Sequence, residues 1–177
     1  AVTEALKDLN FLDVVFEMRF DVLSNYTANG YDDAEFMIST NPGEPVRPLG
    51  KVASGGELSR IMLAIKTVLA DQDEVETLIF DEIDTGISGI TAGKVGDRLR
   101  LIGKSRQVIC ITHLPQIAAT ADHHFLIRKK AEGTSVRTDV EMLDEAASVE
   151  ELARLLGGAN VTERVMESAK ELKELAK

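Results

Sequence analysis

Two short, nearly continuous apolar runs, residues 75–80 and 107–112, constrain the fold of this chain more than any other feature of it. Runs of this length without polar alternation are expected of strands covered on both faces, as inside a parallel sheet. Between them, residues from about 90 to 102 read as a helix. Strand, helix and strand in that order make a βαβ unit, hence a parallel pair. Upstream, Leu58, Ile61, Met62, Ile65, Val68 and Leu69 fall three and four apart, the apolar stripe of a helix from Glu57 to about Ala70. Val14, Phe16, Met18 and Phe20 alternate with Val15, Glu17, Arg19 and Asp21, which predicts a strand with one buried face, and a second strand is expected over 34–40. The stretches 25–33 and 41–50 read as loops, the latter holding three of the four prolines. Downstream, 124–128 and 134–143 predict a hairpin around Ala131, Glu132 and Gly133, with Val136, Thr138, Val140 and Met142 on one face. Two helices close the chain: Ser148 with Glu151 is expected to cap the first, Gly157 and Gly158 to end it, and Asn160 with Glu163 to cap the second. The expectation is an α/β lobe with parallel central strands, flanking helices and a β-hairpin, without internal repeats or low-complexity segments.

Composition agrees with one globular domain. A chain of 177 residues can bury roughly 70% of the surface its unfolded form exposes. With 44% hydrophobic residues, 5% aromatic ones and no Trp, the core is expected to be Leu, Ile, Val and Ala packed between helices and sheet. No apolar run approaches the roughly 18 to 20 residues that span a bilayer, and no signal sequence opens the chain, so no membrane partner and a cytoplasmic location are expected. The lone cysteine, Cys110, sits among Val108, Ile109 and Ile111 and reads as a buried structural thiol. A formal charge of −10 repels nucleic-acid backbones in the far field. Arg98, Arg100, Lys104 and Arg106 form a local basic cluster, read first as a solvated helix face. The chain opens on Ala1, and Glu4, Ala5, Leu6, Lys7 and Leu9 look like the end of a helix arriving from elsewhere, so a piece of a longer protein is expected.

Chemistry gathers at the ends of these elements. Ser54, Gly55, Gly56 and Glu57 stand where the first long helix begins. Ser54 with Glu57 reads as a capping box, and the glycines leave backbone N–H groups bare at the positive end of the helix dipole, which suits a phosphate. The same pattern also starts many helices that touch no ligand. The run at 77–80 ends in Asp81 and Glu82, two carboxylates at the carboxyl edge of a parallel strand, where ligands of open α/β sheets bind. An Asp there can hold Mg²⁺, directly or through water, while the next carboxylate orients and deprotonates an attacking water in phosphoryl transfer. The plain alternative is a solvated turn. The second run ends in Thr112 and His113, whose imidazole could hydrogen-bond a γ-phosphate or the attacking water, although a lone His at a strand end is more often structural. Asp84 to Gly89 form a turn-rich link, and His123 and His124 read as the start of the hairpin.

In this order, Ser54-Gly55-Gly56-Glu57, Leu78-Ile79-Phe80-Asp81-Glu82, Asp84 and Ile111-Thr112-His113 resemble the signature motif, Walker B strand, D-loop and H-loop of the ABC-type ATPases. The wording of residues 80–89 and 112–118 is similar to the RecN family of SMC-like bacterial DNA repair ATPases, and the resemblance covers almost the whole chain. It implies a P-loop NTPase-like head of two lobes separated by a long antiparallel coiled coil, with two heads sandwiching two ATP molecules. Residues 1–10 would then end the coiled coil, 11–50 form strands and loops, 51–130 carry the four motifs, and 131–177 hold the hairpin and C-terminal helices. By that resemblance Ser54, Gly55, Gly56 and Glu57 bind nucleotide held by another head, Asp81 supports Mg²⁺, Glu82 is the catalytic base, Asp84 works at the dimer seam and His113 senses the γ-phosphate. The implied partners are an N-terminal lobe, a second head and, through the full-length protein, DNA under double-strand break repair at the nucleoid.

The departures matter equally. No G-x-x-x-x-G-K-[ST] occurs, so the loop and lysine that cradle phosphates are missing, and so are the family's Gln-containing loop and any sustained heptads. Ala53 stands where many ABC proteins have Leu. The resemblance therefore implies a C-terminal lobe that hydrolyses ATP only within a complete head dimer. An ABC transporter domain and a non-catalytic dimerisation module on the same scaffold are the competing expectations.

Overall fold

A computed structural model describes residues 1–11, 13–51, 54–69, 74–132 and 135–176. The chain divides into two compact units, Ala1–Ile111 and Thr112–Lys177.

The first unit opens on α1 (Val2–Asp8), which buries Ala5, Leu6 and the following Leu9. A long antiparallel hairpin follows, β1 (Val15–Thr27) and β2 (Gly30–Ser39), with β3 (Arg47–Pro48) added beyond β2. The stretch 25–33, expected as a loop, is instead the hairpin's tip. Thr27 pairs with Gly30, whose φ of 113° only glycine adopts at ease, and Thr27 Oγ1 accepts the Asn29 N–H at 3.2 Å. Turn residues there mark the reversal, while the strands run up to it. The stretch 41–50 likewise contains β3 and the start of a 3-10 turn (Leu49–Lys51).

The alternation of 14–21 produces a strand, but not the single buried face expected of it. Phe16, Met18, Phe20 and Val22 lie opposite Ile38, Phe36, Ala34 and Asp32, giving one largely apolar side. Along it Phe20 is 65% and Val22 70% exposed, and only its base, around Ile38, is buried.

Next comes α2 (Gly55–Val68), two residues earlier than the apolar stripe indicated, because Ser54 caps it: its Oγ accepts the Glu57 N–H at 3.5 Å. Ile61, Leu63, Ala64 and Ile65 are buried, whereas Leu58, Val68 and Leu69 at the flank of the expected stripe are exposed. Ala70 lies outside the described residues. The βαβ unit is present: β4 (Thr77–Phe80) pairs in parallel with β5 (Gln107–Cys110), joined through α3 (Gly89–Gly103), which buries Ala92, Val95, Leu99 and Ile102 at helical spacing.

The strands are not covered on both faces. Leu78 and Phe80 are buried, but Ile79 is 68%, Ile109 45% and Ile111 48% exposed. A two-stranded sheet with helices against one side leaves the other apolar side bare, and the run of hydrophobic residues hides this one-sidedness. Cys110 is accordingly half-buried rather than buried.

The second unit packs α4 (Pro115–Ala118), α5 (Glu145–Gly157) and α6 (Glu163–Leu175) around Ala118, Ala119, Leu152, Ala153 and Ala169. Both expected caps shift. Asp144, not Ser148, caps α5, its carboxylate accepting the Ala147 N–H at 2.8 Å, and Thr162, not Asn160, caps α6. Ser148 is buried one turn into α5, where its hydroxyl meets His124 Nδ1 at 2.9 Å. Gly158 ends α5 at φ 61°, as its position indicated. The hairpin forms as β6 (Phe125–Glu132) and β7 (Ser135–Met142); Gly133 and Thr134 lie outside the described residues. Its face of Val136, Val140 and Met142 is exposed.

Candidate functional site

The carboxylates expected at the edge of the parallel pair do emerge there, and the turn that holds them is fastened to the first turns of α2. Asp81 follows the last residue of β4, and its Oδ1 accepts the Glu82 N–H at 2.9 Å. Glu82 takes φ 57°, a left-handed conformation that costs a non-glycine residue free energy and that concentrates at functional sites. A turn closes behind it, with the Thr85 N–H donating to the Glu82 carbonyl at 3.0 Å. Ile83 and Asp84 point inward at 0% and 4% exposure, while the side chains of Asp81 and Glu82 stay in solvent. Gly86, at φ 76°, lets the chain leave the turn toward Ser88, the residue that precedes α3.

Helix α2 grips this turn at several points. The Ser59 hydroxyl donates to the Asp81 carbonyl at 2.9 Å, and Arg60 Nη1 donates to the carbonyls of Ile83 at 3.3 Å and Thr85 at 2.9 Å. The two glycines are part of the grip. A Cβ on Gly56 would stand 2.9 Å from the Glu82 carbonyl oxygen, the Thr85 carbonyl oxygen and Thr85 Cβ, and one on Gly55 would stand 2.5 Å from Glu82 Oε2. Smallness at Gly56 is therefore required by backbone approach within one chain, a reason absent from the sequence pattern, while at Gly55 the close atom belongs to the Glu82 side chain. The signal for Arg60 was legible: spaced four from both Gly56 and Ala64, it is a charged residue on a face otherwise made of small and apolar side chains.

Ser54, Gly55, Gly56, Glu57, Asp81, Glu82 and Asp84 thus all lie in the first unit, at or beside one helix start and one turn. His113 belongs to the second unit, exposed, beside Thr112, whose hydroxyl accepts the Leu114 N–H at 3.0 Å. Burial, reinforced by Asp84 and Asp81, pushes the Cys110 thiol up to about 12, which suppresses the thiolate and with it nucleophilic chemistry. An open apolar cleft of about 300 Å³ between α2 and β4 is lined by Leu58, Met62, Leu78, Ile79 and Phe80 and does not include the carboxylates. Among the described residues no group of three or more His, Cys, Asp or Glu side chains gathers as a metal cage. A single exposed carboxylate such as Asp81 still fits Mg²⁺, which keeps several waters and takes its other ligands from phosphates. The three arginines of the basic cluster are engaged within the first unit: Arg98 pairs with Asp8, Arg106 donates to the Val75 carbonyl, and Arg100 lies 3.9 Å from Asp97.

No family model matches the chain. Comparison with individual proteins is more informative. The chain is 48% identical over 180 residues to the DNA repair protein RecN of Halalkalibacterium halodurans, covering 99% of this chain and 32% of that protein. It is 42% identical over 172 residues to RecN of Vibrio cholerae, covering 97% and 31%. Over the length it spans, this chain is similar to RecN. It represents about a third of the length of these RecN relatives. Solved SMC heads share the fold: the Smc head with coiled coil and joint from Pyrococcus yayanosii matches with a TM-score of 0.58 at 22% identity over 85% of this chain and 27% of that one. The Smc head from Pyrococcus furiosus, bound to the C-terminal domain of ScpA, gives 0.54 at 22% identity over 86% and 36%. The chain thus shares the fold of these Smc heads over the matched region, and no helix among its described residues is long and apolar enough to cross a membrane.

Proposed function

We propose that this chain is the C-terminal lobe of a RecN-type ATPase head, supplying half of a composite site that hydrolyses ATP to ADP and phosphate in a head–head dimer. The observation that carries the reading is the fastening of the Ser54–Gly56 helix start to the turn bearing Asp81, Glu82 and Asp84. A phosphate-binding helix start and a hydrolytic carboxylate pair on one small rigid body suit a protein that reads nucleotide on one side and acts on nucleotide on the other.

In this reading the bare N–H groups and dipole of α2, with the Ser54 hydroxyl, meet the γ-phosphate of ATP held by the opposite head. Glu57 supports that helix start. Asp81 holds Mg²⁺, which when bound neutralises charge on the phosphates. The Glu82 carboxylate takes a proton from the attacking water as its oxygen bonds to the γ-phosphorus and the bond to ADP breaks. Asp84 sets the seam between heads and His113 hydrogen-bonds the γ-phosphate. The phosphate-cradling lysine comes from an N-terminal lobe, which also covers the bare face of Ile79, Ile109 and Ile111. The segments divide as 1–10 closing a coiled coil, 11–50 strands and loops, 51–130 the nucleotide motifs and 131–177 the hairpin and last helices. The cycle serves double-strand break repair in the cytoplasm, at the nucleoid, with DNA engaged by the full-length protein.

The test is steady-state hydrolysis of ATP with Mg²⁺. The full-length protein is expected to turn over, Glu82→Gln to lose at least about 100-fold in kcat, and the isolated chain to stay at background. Hydrolysis by the isolated chain that Glu82→Gln abolishes would contradict the composite site.

A further inference from the structure

Arg60 is a charged residue where α2 has little use for one. It is 6% exposed, its guanidinium lies over the Phe11 ring at 5.5 Å from the centroid, and its Nε has no hydrogen-bond partner among the described residues. Burial pulls its pKa below the usual arginine range. A buried charge of this kind is costly, and a Met or Leu of similar length would fill the space without that cost. What the guanidinium provides instead is Nη1, which bonds the carbonyls of Ile83 and Thr85 on either side of Asp84.

We propose that Arg60 is a positioning residue that clamps the backbone on both sides of Asp84 to α2, so that the Glu82 and Asp84 turn follows the helix start as one body. The inference rests on the reading of the site given above and deepens it. The helix start faces ATP on the opposite head, whereas Glu82 acts on ATP of its own head. The clamp therefore links the two nucleotides of a dimer: phosphate gripped at Ser54–Gly56 fixes the base for the other site. Two neighbouring contacts, Ser59 to the Asp81 carbonyl and Gly56 against the Glu82 and Thr85 carbonyls, run in the same direction and hold the near end of the turn. Among these contacts Arg60 alone hydrogen-bonds both carbonyls that bracket Asp84.

The experiment uses the full-length protein with Arg60→Met, which keeps the stem and removes the donors, and Arg60→Lys, which keeps one charged donor. Expected for Arg60→Met is a fall in kcat of about 10-fold to 100-fold, the loss that follows small misplacement of a catalytic group, with KM for ATP within about twofold. Arg60→Lys is expected to recover part of kcat. Hydrogen exchange at the amides of 83–86 is expected to quicken in both variants while exchange in the core of α3 is unchanged. Full kcat per folded molecule in Arg60→Met, or exchange at 83–86 unaltered in a folded Arg60→Lys, would overturn the inference. Glu82→Gln run alongside separates the two levels: if it leaves turnover intact, the site reading fails and the clamp with it; if it abolishes turnover while Arg60→Met does not, only the clamp fails.

Discussion

Gly55 and Gly56 are neighbours with different obligations. At Gly56 an added methyl meets two backbone carbonyls and a Cβ, none of which can swing aside, so Gly56→Ala must push the Glu82–Thr85 turn away and is expected to cost about 1–3 kcal/mol. At Gly55 the close atom is the end of the Glu82 side chain, which can rotate. Gly55→Ala is therefore expected to melt within a degree or two of wild type while displacing the carboxylate and lowering turnover, so stability and activity separate between adjacent positions. Thermal melts of both variants, paired with ATP turnover in the full-length protein, check this; equal loss of stability would contradict the geometry. His124 carries a second residue-scale prediction. Burial, then the nearby Lys173 charge, lowers its pKa below the ordinary 6.5, with Glu151 opposing. The folded state thus disfavours the proton that the unfolded chain accepts, and stability is kept above about 6.5 and lost as pH falls below it. In denaturant titrations the advantage of wild type over His124→Gln is expected to shrink on acidification; a gap independent of pH would show that the ring's charge is not resisted.

At the scale of elements, the sequence announced what period and length announce. The parallel pair, α3 between its strands, the helix after Ser54 and the carboxylates at the strand edge were all readable, because each depends on local pattern. What escaped depends on competition or on distance. Ser148 was expected to cap α5, yet Asp144 caps it, and Ser148 lies inside the helix with a buried partner in His124, twenty-four residues away in the chain. The same holds for the hairpin tip, where Asn29 and Gly30 mark a reversal but cannot say how far the strands extend toward it. The site shows the same division. Ser54, Asp81, Glu82 and Asp84 were legible from motif and spacing, whereas the role of Gly56 and Arg60 in fastening helix to turn appears only when residues 56–60 and 82–85 meet. Period also failed to report coverage: Ile79 and Phe80 read alike, yet one is 68% and the other 5% exposed.

At the scale of the molecule, the bare apolar sides carry the main message. Ile79, Ile109 and Ile111 on the parallel pair, and Phe20 and Val22 on the first hairpin, are exposed, as the proposed role of one lobe in a larger head would require. They accord with a chain that spans about a third of its RecN relatives, and with a site whose helix start has no phosphate-cradling loop of its own. The proposal that Ser54–Gly56 of one head serves ATP held by the other is tested most directly by complementation. Full-length Glu82→Gln and full-length Ser54→Arg are each expected to be inactive. In their mixed dimer one site pairs an intact Glu82 with the intact helix start of the partner, while the other site carries both lesions. Random mixing of equal amounts should restore turnover up to about a quarter of wild type, half the dimers being mixed and one site in two working in each, less what that site loses because its Glu82 sits on the head carrying Ser54→Arg. A mixture no more active than its separate components would place both groups in the same head's site and contradict the shared one.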